Sequence, residues 1–226
     1  MTCLPVTVLV VAKAPVAGLA KTRLAAAIGP EAAADIAAAA LLDTLDAVAA
    51  VPVAARVVAM TGDLNVAQAA DEIRERLRGF IVIPQRGADF ADRLANAHID
   101  AAGAAGPMPV LQIGMDTPQV TAELLAGCAE TLLRSPAVLG LAGDGGWWVL
   151  GVQSAQSARS ADLLRSVQMS RDDTGAATLK ALRDGGIGVA LVEQLDDVDT
   201  VDDVAAVRRG CAPSGRFARA TRAVGV

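Results

Sequence analysis

The organisation of this chain turns on residues 110–118, which have the sequence VLQIGMDTP. Residues 110–113 form a short, mostly apolar run of strand length that breaks at Gly114, and one carboxylate, Asp116, follows directly before a Thr-Pro turn. In an open parallel sheet, ligands bind beyond the carboxyl ends of the strands. A carboxylate in that place loses hydration unless it is paired or binds a cation. Asp116 therefore either starts a turn or caps the next helix, or it belongs to a ligand site as a catalytic and metal-binding residue.

Composition limits the classes of protein to which the chain can belong. Hydrophobic residues make up 53% of its 226 residues, which is enough for a large core. The formal charge of -5 argues against nucleic-acid binding, which requires a basic face. Three cysteines without C-x-x-C spacing indicate reduced thiols and a cytoplasmic location, and a single histidine, His98, excludes a histidine-cluster metal site. No segment has the length and the lack of charge that a membrane span requires.

Strand-like and helix-like segments alternate along the whole chain. Besides residues 110–113, strands are predicted at residues 6–12, 55–60, 81–83, 137–142 and 187–192. Helical periodicity lies between them, which predicts a mostly parallel sheet with helices on both faces. We expect one domain over residues 1–210. Weak periodicity in residues 211–226 is compatible with a mobile tail, and the oligomeric state stays open.

The first strand runs into a basic loop, residues 13–24, with the sequence KAPVAGLAKTRL. Lys13, Lys21 and Arg23 surround a turn that contains Gly18, and cations beside exposed backbone N–H groups suit a phosphate. The loop has neither the Walker A spacing nor a G-x-G-x-x-G turn. The alternative is a solvated basic loop before a short helix. Gln85, in the loop after the third predicted strand, is a further candidate contact for a nucleotide base or phosphate.

Two acidic segments follow in the second half of the chain. In residues 143–148, GDGGWW, three glycines surround Asp144, and two tryptophans of one strand must point to opposite faces. In residues 196–203, DDVDTVDD, the pair Thr200 and Asp203 has helix-capping spacing. Capping does not explain Asp197 and Asp199, which precede the helix. Carboxylates so close together repel one another unless a cation joins them.

Taken in order, these motifs resemble the GT-A clan of nucleotide-diphospho-sugar transferases and, within it, the bacterial DUF2064 group, often labelled glycosyltransferase-like. The matching stretches lie at residues 12–24, 113–118, 144–151, 169–170 with 173–174, and 197–200. The start and end of the chain also look similar to 2-phospho-lactate guanylyltransferases, whereas the segment DGGWW looks less like that group. The resemblance implies a Rossmann-like GT-A fold. One departure is the segment MDT at residues 115–117, which is not a full D-x-D.

The resemblance also implies three groups of site residues. The nucleotide-phosphate ligands would be Lys13, Gly18, Lys21 and Arg23. The ligands of Mg²⁺ or Mn²⁺ would be Asp116 and, near the end of the chain, Asp199. Asp197 is the less favoured alternative to Asp199. The acceptor or sugar side would hold Asp144, Gly145, Gly146 and Trp148.

Such a site is suited to reactions that release a diphosphate-type leaving group. Lysine, arginine and a hard cation held by carboxylates neutralise the growing charge on that group without histidine. Glycosyl transfer from a nucleotide sugar to a small-molecule acceptor, with Asp144 as the base, comes first because of the group label. Nucleotidyl transfer from an NTP is the alternative, and a nucleotide-binding module without catalysis is the third possibility.

Overall fold

The computed structural model describes residues 2–226. Its strands are β1 (Leu4–Lys13), β2 (Val53–Thr61), β3 (Ile81–Pro84), β4 (Val110–Gly114), β5 (Ala137–Leu141), β6 (Trp147–Val152) and β7 (Val189–Leu191). Its α-helices are α1 (Thr22–Ile28), α2 (Pro30–Ala50), α3 (Ala70–Leu77), α4 (Phe90–Ala105), α5 (Ala122–Arg134), α6 (Ser157–Arg165), α7 (Thr174–Asp184), α8 (Val201–Gly210) and α9 (Arg216–Val224).

The strands form one sheet in the order β3-β2-β1-β4-β6-β5-β7. Only β6 runs against its neighbours, β4 and β5, and the other pairs are parallel. The predicted mostly parallel sheet is therefore confirmed. The antiparallel strand arises because the chain reverses directly after β5 over residues 142–146, without a crossover helix.

Strand β1 is buried on both faces, as its continuous apolar sequence predicts. On one face, Val8 and Val10 belong to the same core cluster as Leu41 of α2. On the other face, Leu9 packs with Leu94 of α4. Alternate residues of a strand point to opposite faces, so one run of valines and leucines joins helices on both sides of the sheet.

Helix α2 lies between the sheet and an outer layer of helices. Its second face carries Ile36, which packs with Val204 of α8 and Phe217 of α9. Residues 211–226 thus differ from the mobile tail that the sequence suggested, because Phe217 is fully buried. The start of α9 is held by a carboxylate of α2. Asp43 accepts hydrogen bonds from the backbone nitrogens of Arg216 (3.1 Å) and Phe217 (2.9 Å). The boundary of the proposed 1–210 domain stays a prediction, and α9 extends the packed core beyond it.

Two further findings concern membrane-spanning helices and cysteines. No helix within residues 2–226 combines the length and the hydrophobicity that crossing a bilayer requires. Cys3, Cys128 and Cys211 are free thiols, as the sequence predicted. The cytoplasmic location stays a prediction.

The sheet brings four loop segments together at the carboxyl ends of its parallel strands, an end of the sheet that we call the carboxyl edge. β1 and β4 are parallel neighbours with Val11 beside Gly114, so the loops that follow them leave the sheet together. The turn after β5 reaches the same edge, because the strand that follows it, β6, begins beside the end of β4, with Val149 opposite Ile113. Ala142 in this turn forms an isolated bridge with Leu195 in the segment that follows β7. Side chains from distant parts of the sequence meet there.

Candidate functional site

A cleft opens at this edge of the sheet. Its main cavity has a volume of about 600 Å³. A side cavity of about 240 Å³ adjoins it, and the two share several lining residues, among them Lys13, Arg23, Asp116 and Asp199. The loops after β1 and β4, the β5–β6 turn and residues 169–174 thus surround one continuous space.

Lys21 joins two of the predicted acidic residues. Its ammonium nitrogen lies 2.9 Å from Oδ2 of Asp116 and 3.3 Å from Oδ1 of Asp199, and only 7% of its side chain is exposed. Burial alone would lower the pKa of Lys21, but the two carboxylates outweigh burial and raise it above its ordinary value. Lys21 is therefore a buried ammonium that remains charged. Arg23 Nη1 approaches the second oxygen of Asp199 at 3.0 Å.

The backbone of the basic loop is shaped to deliver this ammonium. Lys21 itself adopts a left-handed conformation, with φ 47° and ψ 50°, directly before α1. A residue other than glycine rarely occupies that region, and such strain is concentrated at functional sites. Gly18, at φ 76°, turns the loop, although it does not line either cavity. Lys13 does line the cleft, and its ammonium donates to the carbonyl oxygen of Leu19 at 2.7 Å.

Gln85 lines the main cavity and also ties two strands together. Its Nε2 donates to the carbonyl oxygens of Ala12 (2.8 Å) and Ala59 (2.9 Å), at the ends of β1 and β2. Because these strand contacts use its amide hydrogens, a ligand would meet the side-chain oxygen of Gln85 as an acceptor.

Three carboxylates form the tightest acidic group within residues 2–226. Asp144, Asp197 and Asp199 each offer one oxygen, and these oxygens all lie within 4.8 Å of one another. The sequence placed Asp116 with Asp197 and Asp199 and gave Asp144 to the acceptor side. In the structure, Asp144 lies with Asp197 and Asp199 instead, and Asp116 is bound to Lys21. The difference arises because the β5–β6 turn folds over the edge where Asp197 and Asp199 lie. No local sequence pattern indicates this position of the turn.

The segment that carries Asp197 and Asp199 is fixed by backbone hydrogen bonds. Leu195 donates to Leu141 and accepts from Gly143, both at 3.2 Å, and the nitrogen of Val198 donates to the carbonyl oxygen of Asp116 at 3.3 Å. The predicted capping box at the start of α8 is confirmed. Both ends of the segment are therefore anchored, which holds its two carboxylates at the cleft.

Burial and crowding by other carboxylates change the protonation of Asp197. Burial, together with repulsion from Asp144 and Asp199, raises the pKa of Asp197 to about 7, and the positive charge of Lys21 only partly opposes this. Without a further cation, the acidic group therefore holds a proton close to neutral pH. A group of carboxylates with this property can accept a divalent cation in exchange for the proton.

Glycine is required in the turn that presents Asp144. Gly145 has φ +89°, and a methyl group on it would overlap the backbone carbonyl of Asp172. The nitrogen of Gly146 donates to Oδ1 of Asp144 at 2.8 Å. Gly146 lines the main cavity and Gly145 does not, so Gly145 acts by letting two backbone segments approach closely.

Both tryptophans line the main cavity, from opposite faces of β6. Trp148 is almost fully buried, and its indole nitrogen donates to the carbonyl oxygen of Glu193 at 2.8 Å. Trp147 is half-buried and packs against the same two core clusters as Met169. The sequence chose Trp148 for the acceptor side and did not identify Trp147, because alternation along a strand does not tell which face borders a cavity.

The sequence also missed one complete wall of the cavity. Phe90, Arg93 and Leu94, all in the first turns of α4, line this wall. The capping residue Asp89, which accepts from the nitrogen of Asp92 at 2.8 Å, sets where α4 begins. A helix that starts at the carboxyl edge of the sheet was the available signal, since its first turn must face the same space.

Comparison with known proteins found one family. A family model described as "Uncharacterized protein conserved in bacteria (DUF2064)" matches residues 44–171. This confirms the resemblance that the motifs suggested. A comparison with curated proteins found no match.

Several solved structures share the fold along nearly the whole chain. A "putative nucleotide-diphospho-sugar transferase" from Desulfovibrio desulfuricans G20 superposes with a TM-score of 0.83 at 23% identity, over 96% of this chain and 94% of that one. A nucleotidyl transferase from Methanothermobacter thermautotroptrophicus gives 0.58 at 17% identity, over 95% and 98%. A 4-diphosphocytidyl-2C-methyl-D-erythritol synthase from Anaerococcus prevotii DSM 20548 gives 0.57 at 13%, over 90% and 96%. The Rossmann-like GT-A fold is thus confirmed.

Proposed function

This chain belongs to the DUF2064 family, and from that premise we propose that it is a nucleotide-dependent transferase that moves a nucleotidyl group from an NTP to a small acceptor and releases pyrophosphate. The observation that carries the proposal is the contact of Lys21 with both Asp116 and Asp199. It brings a buried cation and the acids of two distant loops to the edge where nucleotides bind in open α/β sheets.

The phosphate end of the nucleotide would lie along the basic loop. Lys13, Lys21 and Arg23 all line the side cavity. Lys21 and Arg23 are held by carboxylates, so their charges are already positioned and need little rearrangement when a triphosphate arrives. The structural neighbour described as a nucleotidyl transferase supports a nucleotide as the substrate.

The acidic group fits a magnesium or manganese ion. Its three ligand oxygens lie within 4.8 Å of one another, and oxygen-only ligand sets favour these two metals. Asp144, Asp197 and Asp199 would hold the ion, while Asp116 would hold Lys21. When bound, the ion would supply positive charge at the phosphates and so stabilise the leaving group.

The reaction needs little covalent help from the protein. The oxygen of an acceptor hydroxyl attacks the α-phosphorus and loses its proton to solvent, the bond from that phosphorus to the bridging oxygen breaks, and pyrophosphate leaves with the bonding electrons. Lys21 and Arg23 are placed to neutralise the charge that grows on the departing phosphates. Catalysis would thus rest on positioning and electrostatics, as in other phosphoryl-group transfers.

Glycosyl transfer from a nucleotide-diphospho-sugar, which the sequence placed first, is the second candidate. It is favoured by Asp144, which lines the main cavity with Gly146 and Trp148, where a base for an acceptor hydroxyl is needed. The description of the Desulfovibrio neighbour points the same way. We place it second because Asp144 lies with Asp197 and Asp199 and because the segment MDT lacks a full D-x-D.

Ligand binding followed by product analysis tests the proposal. We expect one NTP, in the presence of Mn²⁺, to raise the melting temperature of the chain more than any nucleotide sugar does. Turnover with mixed small acceptors should then release pyrophosphate. Release of an NDP from a nucleotide sugar would support the second candidate, and binding without any turnover would support a non-catalytic module. Binding of neither class of nucleotide would contradict all three.

A further inference from the structure

Arg93 is a cation without a partner on the wall of the main cavity. It lies in the first turns of α4 and is half-buried. Within residues 2–226, its guanidinium forms no ion pair and no hydrogen bond, whereas its backbone nitrogen donates to the carbonyl oxygen of Asp89 at 3.1 Å. A partly desolvated guanidinium with five unused N–H donors is unfavourable unless something else binds it.

The other half-buried arginines of the described chain all have acceptors. Arg56 donates to the carbonyl oxygen of Val48, and the guanidinium of Arg208 donates to the terminal residue Val226. Arg76 and Arg216 form ion pairs with Asp46. Arg93 therefore differs from the other half-buried arginines, and its side chain faces a cavity.

The acids nearest in sequence to Arg93 are already used. Asp92 accepts from the nitrogen of Ala88 (3.1 Å) and from Arg165 (3.0 Å), and Asp89 caps α4. Asp172 lines the same cavity but forms no ion pair with Arg93. No side chain within residues 2–226 thus supplies the missing negative charge, so a ligand can.

We propose that Arg93 binds a negatively charged group, a phosphate or a carboxylate, of the acceptor substrate. This inference rests on the proposed function, since it assigns the basic loop to the nucleotide and leaves the α4 wall to the acceptor. The acids Asp144, Asp197 and Asp199 and the cation Arg93 line the same cavity. An acceptor anchored by its anion at Arg93 therefore shares this cavity with the acidic group.

The surroundings of Arg93 suit a small organic anion rather than a free ion. Phe90 and Leu94 flank it on α4, and Trp147 and Met169 line the same cavity. The cavity, at about 600 Å³, has room for a sugar-sized acceptor beside a nucleotide. Apolar walls bind the carbon skeleton and lower the local dielectric constant, which strengthens the contact between guanidinium and anion.

Calorimetric titration with three matched hexoses tests this assignment. Glucose 1-phosphate and glucuronate carry the two candidate anions, and glucose carries none. The wild-type chain should bind at least one anionic hexose more tightly than glucose, and Arg93→Gln should weaken that binding about tenfold or more. Arg93→Lys should restore part of it, because lysine keeps the charge but loses the planar fork. The control is Arg183→Gln, since Arg183 is exposed on α7 and does not line the cleft.

The outcomes separate this inference from the proposed function. If glucose 1-phosphate binds through Arg93, the acceptor is a phosphorylated molecule. If only glucuronate binds through Arg93, the acceptor is a carboxylate. Equal binding of the three hexoses, binding of none of them, or equal affinity in wild type and Arg93→Gln would overturn the inference. If Arg93→Gln weakens NTP binding instead, Arg93 belongs to the nucleotide and the inference is also overturned. NTP binding by the wild-type chain tests the proposed function independently of all these results.

Discussion

Nζ of Lys21 lies 2.9 Å from Oδ2 of Asp116, although the two residues follow different strands of the sheet. The same ammonium reaches Asp199, so a single cation holds together the loops after β1 and β4 and the segment before α8. Sequence motifs assigned phosphate binding to the lysine and metal binding to the aspartates. The structure shows that, without a ligand, these groups neutralise one another.

Replacing Lys21 with methionine should destabilise the chain. The change keeps the length of the side chain but leaves Asp116 and Asp199 without their shared cation, which should cost about 1–3 kcal/mol of unfolding free energy. Mn²⁺ should restore more stability to this variant than to the wild type, because the uncompensated acids attract it. The control is Lys180→Met, since Lys180 forms only an exposed pair with Asp184. Denaturant unfolding is the measurement, and equal stability of the two variants would contradict the prediction.

Manganese binding should depend on which aspartate is changed. Asp144→Asn, Asp197→Asn and Asp199→Asn should each weaken Mn²⁺ binding at least tenfold, because each removes one of three converging ligands. Asp116→Asn should have a smaller effect, since Asp116 contributes no oxygen to this converging group. Paramagnetic resonance of free Mn²⁺ gives the affinities, with Asp172→Asn as a control that lines the cavity outside the group. A loss with Asp116→Asn as large as with the other three would favour the ligand set that the sequence indicated.

Gly145→Ala should unfold the turn that presents Asp144 or shift it. The left-handed φ disfavours alanine, and its methyl group would overlap the carbonyl of Asp172, so we expect a loss of about 2 kcal/mol or more. Gly127→Ala is the matched control, because Gly127 lies in α5 with open space around it, and alanine there should be neutral or stabilising. Thermal unfolding compares the two. Comparable melting temperatures would show that the turn tolerates a side chain.

His98 should make the chain sensitive to acid. Burial lowers the pKa of this imidazole from 6.5 to about 4, and the neighbouring Gln112 side chain only partly opposes the shift. The unfolded state therefore binds the proton more readily, so the contribution of His98 is complete above about pH 6.5 and is lost as the pH falls towards 4. The loss should amount to about 3 kcal/mol. His98→Leu should have a flatter stability profile over this range in denaturant titrations at several pH values, and parallel profiles would exclude this role.

Local sequence was sufficient for the sheet and for much of the cleft. The apolar runs that became β1 and β4 are buried on both faces, and side chains that follow parallel strands must leave the sheet at one edge. This reasoning, together with the resemblance to the GT-A clan, predicts Lys21, Asp116 and Asp199 in one site. Thr200 and Asp203 likewise formed their capping box, because that motif depends on spacing within a single turn.

Pairing among those side chains depended on tertiary structure. The reversal of β6 carried Asp144 over to Asp197 and Asp199, and the docking of α4 placed Arg93 and Phe90 on the cavity wall. Helix α9 is held by Asp43 of α2, far away in sequence, so its own weak periodicity understated how firmly it packs. Hydrophobic periodicity reports which face of an element is buried, whereas ion pairing falls off steeply with distance and is decided only when loops far apart in the chain come within a few ångströms of one another.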